Sequence, residues 1–317
     1  MRSALKSIVV PMIVVLAAAC STGGGASPSA SAAPTAAAAT TAASVAPSAS
    51  PDACAKDTLK LTAAGKLTIG TDNPAYPPYF QIPATGSATK PWELGDPTNG
   101  EGFESAFAYA LADKLGFAKA DVAWVVVPFD NSFAPGAKTF DLDVNQVSYK
   151  PERAQAVDLS DGYYTLNQSI VAFKANALAA AKTVADLKAF KFGAQAGTTS
   201  LDTINNVIAP TTAAKVYSSN DDAIAAVNAK QIDGLVVDLP TAFYVTGAEQ
   251  IKDSVIVGQF APPAGADAEH FSVVLAKASP LTACVNAAIA ALKSDGSLDS
   301  ITKEWLADKA SAPVIQP

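Results

Sequence analysis

The sequence predicts an α/β fold with mostly parallel sheets, arranged in two lobes. From about residue 57 onward, segments with the hydrophobic period of a strand alternate with segments that have the period of a helix. This stretch of about 260 residues is long for a single sheet with its helices, so two lobes are expected. The chain is 50% hydrophobic and only 16% charged, which supplies enough apolar material for large cores.

Residues 1–19 are expected to be a signal peptide. Arg2 and Lys6 precede an apolar run from Ile8 to Leu16, and three alanines then lead to Cys20. The apolar run is shorter than the about 20 residues that span a bilayer. A plain cleaved signal with an incidental cysteine is one interpretation. We favour a bacterial lipobox, in which Cys20 is lipidated and becomes the mature N-terminus.

Residues 20–56 are expected to be the lipidated cysteine and a disordered tether. From Ser21 to Ala53 the chain consists almost entirely of Ala, Ser, Thr, Pro and Gly, with no aromatic residue and no charge before Asp52. Such a segment buries too little apolar area to offset the entropy lost on ordering. The sequence therefore predicts an exported protein held at the outer face of the cytoplasmic membrane, in the periplasm or at the cell surface.

Charge and cysteine content exclude several function classes. The chain has a formal net charge of −7, so it lacks the positive electrostatic potential that binding to nucleic acid requires. The three cysteines include no CxxC pair, which excludes a zinc ribbon or a thioredoxin-type site. Cys54 and Cys284 lie in the predicted folded part, and export favours a disulfide between them over two free thiols.

The predicted elements follow the hydrophobic pattern along the chain. Phe103, Phe107, Leu111 and Leu115 form one stripe of an amphipathic helix. Strands are predicted at residues 67–70, 122–127, 140–147, 168–174, 191–195, 233–237, 255–260 and 271–277. Further helices are predicted from Thr183, with Asp186 in a near capping box, at residues 200–208 and 221–230, from Ser279 to a stop at Gly296, and from Ser297 through Trp305.

Several local patterns predict no metal or catalytic site. Asp141, Asp143 and Asn145 partly match a calcium loop, but Gln146 replaces the turn glycine and the segment has the period of a strand. His270 has no second metal ligand nearby in the sequence and no GxSxG motif accompanies it, so a structural role is expected. We expect neither a cofactor nor a metal.

Polar and aromatic side chains cluster where predicted strands end. In α/β sheets the carboxyl ends of the strands line the ligand crevice, and a helix N-terminus favours an anion there. An arginine grips a carboxylate with two parallel hydrogen bonds, and an aspartate accepts from an ammonium. Taken singly, each residue could be an ordinary cap or surface group; together they describe a site for a free amino acid. The candidates are Asp72, Tyr76, Phe129, Ser148, Arg153, Thr198, Thr199 and Asp238.

Four blocks of the sequence resemble a known family. Gly102-Phe103-Glu104-Ser105 opens a helix that ends in Lys114-Leu115-Gly116-Phe117, and Ile69-Gly70-Thr71-Asp72 and the run from Ile232 to Asp238 match two more blocks. The fourth and most specific block is Ser148-Tyr149-Lys150-Pro151-Glu152-Arg153 followed by Val157-Asp158-Leu159-Ser160-Asp161-Gly162-Tyr163. Over about residues 59 to 307 the chain resembles the family 3 extracellular solute-binding proteins of amino-acid ABC transporters.

The resemblance implies a two-lobed periplasmic binding protein of type II-like fold, with two mixed or parallel sheets flanked by helices and two crossover strands as a hinge. Residues 57–168 and 274–317 would form lobe 1 and residues 169–273 lobe 2. By the same resemblance, Arg153 would bind the α-carboxylate with Thr198 and Thr199, and Asp238 the α-ammonium. Asp72, Tyr76, Phe129 and Ser148 would complete the site.

The resemblance also implies the partners: a small-molecule amino acid, and an integral-membrane ABC permease with its cytoplasmic ATPase. We expect a monomer that is not an enzyme. Tyr149 and Lys150 depart from the family pattern, and we expect Trp92 to border the pocket mouth. Two alternatives stay open: a cyclohexadienyl-type dehydratase of the same fold, with Glu104, Asp72 or His270 as proton donor, or a sensory or adhesive surface lipoprotein.

Overall fold

The computed structural model describes residues 51–262, 265, 267–306 and 312–317. The predicted signal peptide, Cys20 and most of the predicted tether lie outside the described residues. Within the described residues, no helix combines the length and hydrophobicity needed to cross a bilayer.

Twelve strands form in the described part of the chain, most of them short. In chain order they are β1 (Leu67–Thr71), β2 (Val122–Val126), β3 (Leu142–Asp143), β4 (Asp158–Leu159), β5 (Tyr164–Thr165), β6 (Gln168–Phe173), β7 (Phe192–Gln195), β8 (Lys215–Tyr217), β9 (Gly234–Asp238), β10 (Ser254–Gln259), β11 (His270–Phe271) and β12 (Val274–Leu275).

Nine α-helices accompany these strands in the same described residues. They are α1 (Phe103–Lys114), α2 (Phe129–Ser132), α3 (Pro151–Ala156), α4 (Val184–Leu187), α5 (Thr199–Asp202), α6 (Asn220–Asn228), α7 (Leu239–Gly247), α8 (Thr282–Ser294) and α9 (Ser297–Leu306). A π-helical stretch, Thr203–Ile208, continues α5. Short 3-10 turns form at Pro51–Cys54, Lys56–Thr58, Lys119–Asp121 and Ala177–Ala180.

The strands form two five-stranded sheets and one small ribbon. The first sheet has the order β2-β1-β3-β12-β4, in which β1 runs parallel to β2 and β3, and β12 runs antiparallel to its neighbours. The second sheet has the order β10-β6-β9-β7-β8, with β7 parallel to β8 and β9. Strands β5 and β11 pair as an antiparallel ribbon. Two mixed sheets flanked by helices are the architecture that the resemblance implies.

The first core lies between the first sheet and helices α1, α8 and α9. Phe103, Phe107 and Leu111 are fully buried, so the predicted stripe of α1 faces this core. Gly102 precedes the helix with a φ of +97°, and a Cβ there would lie 2.5 Å from the carbonyl oxygen of Tyr79. Glycine is therefore required for the chain to enter α1 at this angle.

The second sheet is covered on both faces. Val236 packs into one hydrophobic cluster with Ile170, whereas Leu235 and Val237 pack into another on the opposite side. The alternation follows from the two-residue period of a strand. The final residues also lie against this sheet, because Val314 bridges to Gln259 and Ile315 is buried in its core. The lobe boundaries stay a prediction.

The predicted disulfide between Cys54 and Cys284 is present. The two Cα atoms lie 5.4 Å apart, and the bond joins positions separated by 230 residues. It ties the start of the described chain to α8, a helix of the first core. The pairing is confirmed.

Three predicted elements differ from those observed. The strand predicted at 140–147 pairs only at Leu142–Asp143, because the chain turns away at Gln146, whose φ is +49°. The strand predicted at 271–277 is divided into β11 and β12, which pair with different partners. Only the first turn of the helix predicted at 200–208 is α-helical.

Candidate functional site

One cavity lies between the strand ends of the two sheets, and all eight ligand-binding candidates border it. The empty space, including its mouth, is about 580 Å³. The side built on the first sheet contributes Asp72, Tyr76, Phe129, Asn145, Gln146, Ser148 and Arg153. The side built on the second sheet contributes Gln195, Thr198, Thr199, Ser200, Asn220, Val237, Asp238 and Thr241. The role of these residues in binding stays a prediction.

Arg153 borders this cavity and is held by hydrogen bonds to two backbone carbonyl groups. Helix α3 begins at Pro151, which presets the first turn, and places Arg153 with only 6% of its surface exposed. Its Nη1 donates to the carbonyl oxygen of Ser148 at 2.6 Å, and its Nη2 to that of Gly197 at 2.7 Å. The guanidinium also lies 4.3 Å from the ring centroid of Phe133. Within the part of the chain that the structure describes, these two hydrogen bonds leave three of its five N–H groups for a ligand.

Burial affects the charge of this arginine only slightly. Burial lowers the pKa of Arg153 to about 10, and the negative charge of Asp202 opposes that effect. The side chain is thus cationic at neutral pH. A buried cation with free donors is suited to a carboxylate, which guanidinium groups bind in a bidentate manner.

Asp238 lies at the end of β9 on the opposite side of the cavity. Its Oδ1 accepts a hydrogen bond from Gln168 Nε2 at 2.6 Å. Burial, together with the negative charge of Glu269, raises the pKa of Asp238 to about 8. A cation placed beside this carboxyl would favour its ionised form. The position therefore suits an ammonium group.

The turn before α5 lies between these two charged groups. Thr198 caps the helix, since its Oγ1 accepts from the backbone N–H of Leu201 at 3.1 Å and donates to the carbonyl of Gln195 at 2.8 Å. Thr199 Oγ1 accepts from Gln168 Nε2 at 3.2 Å. Ser200 Oγ donates to Gln168 Oε1 at 2.6 Å.

A carboxylate and two aromatic rings form a further part of the cavity. Asp72 follows β1, and its two oxygens accept from the backbone N–H groups of Asn73 at 2.7 Å and Phe129 at 3.4 Å. Burial raises the pKa of Asp72. Burial, with a hydrogen bond to Asp221, also raises the pKa of Tyr76. Tyr76 and Phe129 border the same space.

Sequence reasoning missed two polar residues behind the cavity wall. Gln168 begins β6 and is 3% exposed. Glu269 precedes β11, and its Oε1 accepts from Ser148 Oγ at 2.6 Å and Gln168 Nε2 at 3.1 Å. The crossover strands were predicted at 168–174 and 271–277. Gln168 is the first residue of one and Glu269 lies two residues before the other, and these polar positions were the available signal. Hydrophobic periodicity carries no information on such positions.

Direct contacts cross the cavity from one side to the other. Lys150 forms an ion pair with Asp202, and the hydroxyls of Tyr79 and Thr241 lie 3.1 Å apart. The hydrogen bond from Arg153 to Gly197 crosses in the same way. The sides are therefore close together in this structure.

The candidate proton donors of the alternative enzymatic interpretation lie in different surroundings. Burial raises the pKa of Glu104 to about 7, but its side chain accepts from the Gln146 backbone and the Tyr163 hydroxyl behind the cavity. His270 stacks on Tyr149, with ring centroids 5.6 Å apart. Only Asp72 of the three borders the cavity.

The expectation for Trp92 is wrong. Its side chain is 2% exposed and packs in the first core, because a large indole gains more from burial there than at a solvent-filled mouth.

Comparison with known proteins gives consistent matches over about three quarters of the chain. Residues 67–308 match the sequence model of the bacterial extracellular solute-binding proteins, family 3. The chain is similar to the arginine-binding extracellular protein ArtP of Bacillus subtilis (strain 168), at 27% identity over 252 residues, which cover 78% of this chain and 93% of ArtP.

Two solved structures are similar in fold and sequence. An ancestral arginine-binding protein bound to glutamine matches with a TM-score of 0.62 and 28% identity, covering 77% of this chain and 98% of that one. The ancestral amino acid-binding protein AncCDT-1, described as a precursor of cyclohexadienyl dehydratase, matches with a TM-score of 0.59 and 27% identity, covering 76% and 95%.

Proposed function

The chain belongs to the bacterial extracellular solute-binding proteins, family 3, and on that premise we propose that it holds a free amino acid by both charged ends and delivers it to an ABC permease. The observation that carries this proposal is the placement of Arg153 and Asp238 on one cavity, on sides built from different sheets. The guanidinium would bind the α-carboxylate, and the buried carboxyl would accept from the α-ammonium.

The charges that border the cavity favour a ligand with a cationic side chain. Arg153 balances a ligand carboxylate and Asp238 balances an ammonium, which leaves Asp72 without a counter-charge. Asp72 lies with Tyr76 and Phe129, and aromatic faces attract cations. ArtP is an arginine-binding protein, and one similar ancestral structure is an arginine-binding protein bound to glutamine. We therefore expect arginine or a similar basic amino acid to bind more tightly than neutral ones.

Capture would proceed by closure of the two lobes over the ligand. Contacts that exist only when the sides meet, such as Lys150 with Asp202 and Tyr79 with Thr241, would favour the closed form. The ligand would add its own contacts to both sides. Closure would then present a defined surface to the permease.

A panel of the twenty amino acids, followed by thermal unfolding and titration calorimetry, tests the proposal. A ligand at 100 times its dissociation constant should stabilise the protein by about 2.7 kcal/mol. Arg153→Ala and Asp238→Asn should each abolish detectable binding. Lys174 directly follows β6 and does not border the cavity, so Lys174→Ala should bind as the wild type does. Unchanged affinity in Arg153→Ala would refute the assignment. No stabilisation by any amino acid would favour a sensory or adhesive role.

We also propose that the bound molecule leaves unchanged, so that the protein is not an enzyme. Glu104 is occupied by Gln146 and Tyr163 behind the cavity wall, and His270 does not border the cavity. The similarity to AncCDT-1 makes a dehydratase the rival activity. Incubation with prephenate or arogenate should give no aromatic product; its appearance would establish the rival.

The membrane anchor and the monomeric state complete the proposal. Cys20 would carry the lipid, and the segment between Cys20 and Pro51 would let the binding domain reorient at the membrane surface. The predicted tether ended at residue 56, but Cys54 is bonded to Cys284 and therefore belongs to the folded domain. Mass spectrometry of the N-terminal peptide should show a diacylated Cys20, and Cys20→Ala should release the protein from membranes. Light scattering of the released protein should give the mass of a single chain.

A further inference from the structure

The amide of Gln168 has a fixed orientation behind the candidate site. Ser200 Oγ donates to its Oε1 at 2.6 Å, so the NH2 group faces the other way. There Nε2 reaches Asp238 Oδ1 at 2.6 Å and Glu269 Oε1 at 3.1 Å. Nε2 also lies 3.2 Å from Thr199 Oγ1. The two hydrogens of the amide therefore serve three acceptors, of which Asp238 is the nearest.

Glu269 also fixes the hydroxyl of Ser148. Ser148 Oγ lies 2.6 Å from Glu269 Oε1, and the carboxylate can only accept. The single hydroxyl proton of Ser148 therefore points away from the cavity. Its remaining lone pairs are available on the side that borders the cavity.

The residues that border the cavity can then be divided into hydrogen-bond acceptors and hydrogen-bond donors. Ser148 and Ser200 have both donated their protons to groups behind the wall, and Asp238 accepts. These oxygens present acceptors, whereas Arg153 presents donors. Thr199 accepts from Gln168 and keeps its own proton, so it adds a donor to the same cavity. The acceptors suit a ligand group rich in N–H, and an α-ammonium has three.

We propose that Glu269, which does not border the cavity itself, is a positioning residue that makes Ser148 an acceptor for the ligand's α-ammonium and holds Gln168 against Asp238. The inference rests on the proposed function, because it assumes that an amino acid occupies the cavity. It assigns Glu269 the selection of α-amino acids over carboxylic acids of the same shape that lack the ammonium.

The test compares L-arginine with 5-guanidinopentanoate, its analogue without the α-amino group, by calorimetry. Glu269→Ala should weaken arginine binding roughly tenfold, since one acceptor for a charged group is lost, and should change binding of the analogue less than about twofold. Glu269→Gln, which keeps the size, should give an intermediate loss. Asp267→Ala, an exposed neighbour, is the matched control and should leave both affinities unchanged.

A double-variant cycle separates positioning from mere packing. In a Ser148→Ala background, Glu269→Ala should weaken arginine binding by clearly less than it does alone, because residues that act through one another are not additive. Three results would overturn the role of Glu269. The first is an equal loss of affinity for both ligands in Glu269→Ala, and the second is no loss of affinity for either. The third is that the losses of arginine affinity caused by Glu269→Ala and Ser148→Ala are fully additive. If Glu269→Ala does not fold, the ratio of the affinities for arginine and its analogue in Glu269→Gln tests the role of Glu269 instead.

The outcome for the wild type distinguishes this inference from the proposed function. If arginine does not bind, the same comparison uses L-glutamine and glutaramate. A wild type that binds none of the twenty amino acids refutes the proposed function and the role of Glu269 together. A wild type that binds, with an unchanged ratio in the Glu269 variants, refutes only the latter.

Discussion

Lys150 and Asp202 form an ion pair that joins the two sides of the cavity. Lys150 precedes α3 on the first-sheet side, and Asp202 is the last residue of α5 on the second-sheet side. Lys150 lies three residues before Arg153 in the sequence. Its ion pair with Asp202 can form only when the two sides are close. Lys150 is one of the two neighbouring residues, with Tyr149, that depart from the family pattern.

Removal of this pair should weaken ligand binding slightly. Because the Asp202 side chain is 44% exposed, the pair is worth only about 0.2–1 kcal/mol, so Lys150→Ala should lower affinity about 1.4- to 5-fold. Calorimetry at low and high salt should show the difference shrink as salt is added. Lys277→Ala, which breaks a pair with Asp158 away from the cavity, is the control and should bind normally. Equal effects of the two substitutions would contradict a role in closure.

Stability should fall as pH rises from 5 to 8. Burial raises the pKa of Asp238 to about 8 and that of Glu104 to about 7, both above their unfolded values. Each group therefore stabilises the fold fully below its unfolded pKa of about 4, and this contribution is lost as pH rises through the folded pKa. Carboxyl groups whose pKa is lowered by folding change the stability only at more acidic pH. Asp186 is an example, because backbone hydrogen bonds from Lys182 and Thr183 lower its pKa.

Urea unfolding of the ligand-free protein at pH 5, 6.5 and 8 measures this effect. The free energy of unfolding should be highest at pH 5, and the decline should be smaller in Asp238→Asn. A wild type that is more stable at pH 8 than at pH 5 would contradict the assignment of these buried carboxyls.

Loss of the disulfide should destabilise the fold and leave binding intact. Replacement of Cys54 and Cys284 by alanine should lower the free energy of unfolding by about 2–5 kcal/mol, because the unfolded chain regains the freedom that the bond removes. Neither cysteine borders the cavity, so the dissociation constant should not change. Denaturant titration and calorimetry on the same sample check both statements. The wild type with reductant should behave as the double variant does.

Asp72→Asn should alter which ligand is preferred. Among the residues that border the cavity, Asp72 is the carboxylate that remains without a counter-charge. Its replacement by asparagine should therefore weaken arginine binding by about tenfold and glutamine binding far less. Asp130→Asn, next in sequence to Phe129 but not among the residues bordering the cavity, serves as control. Equal losses for arginine and glutamine would argue against a cationic ligand.

The parts of the site that sequence predicted are those that follow from strand ends. Asp72 directly follows β1 and Asp238 is the last residue of β9, so both lie at the carboxyl end of a strand. Arg153 lies in α3, which begins at Pro151, and it borders the same cavity. Helix α1 was predictable because Phe103 and Phe107 repeat with the helical period and both are buried.

Other features depend on contacts that no local pattern records. Glu269 follows a stretch without hydrophobic periodicity, and its role becomes visible only where Ser148 and Gln168 meet it. The alternation from 140 to 147 suggested a long strand, but the neighbours β1 and β12 pair with it only at Leu142 and Asp143. Pairing length depends on the partner strands as well as on the strand itself.

A crystal structure of the protein with L-arginine bound would show whether Arg153 and Asp238 hold the two charged ends of an amino acid. We predict the α-carboxylate within hydrogen-bonding distance of the Arg153 guanidinium, the α-ammonium against Asp238, and the side chain directed toward Asp72. A ligand bound outside this cavity, or with its carboxylate against Asp238, would show that these two residues do not have the proposed roles.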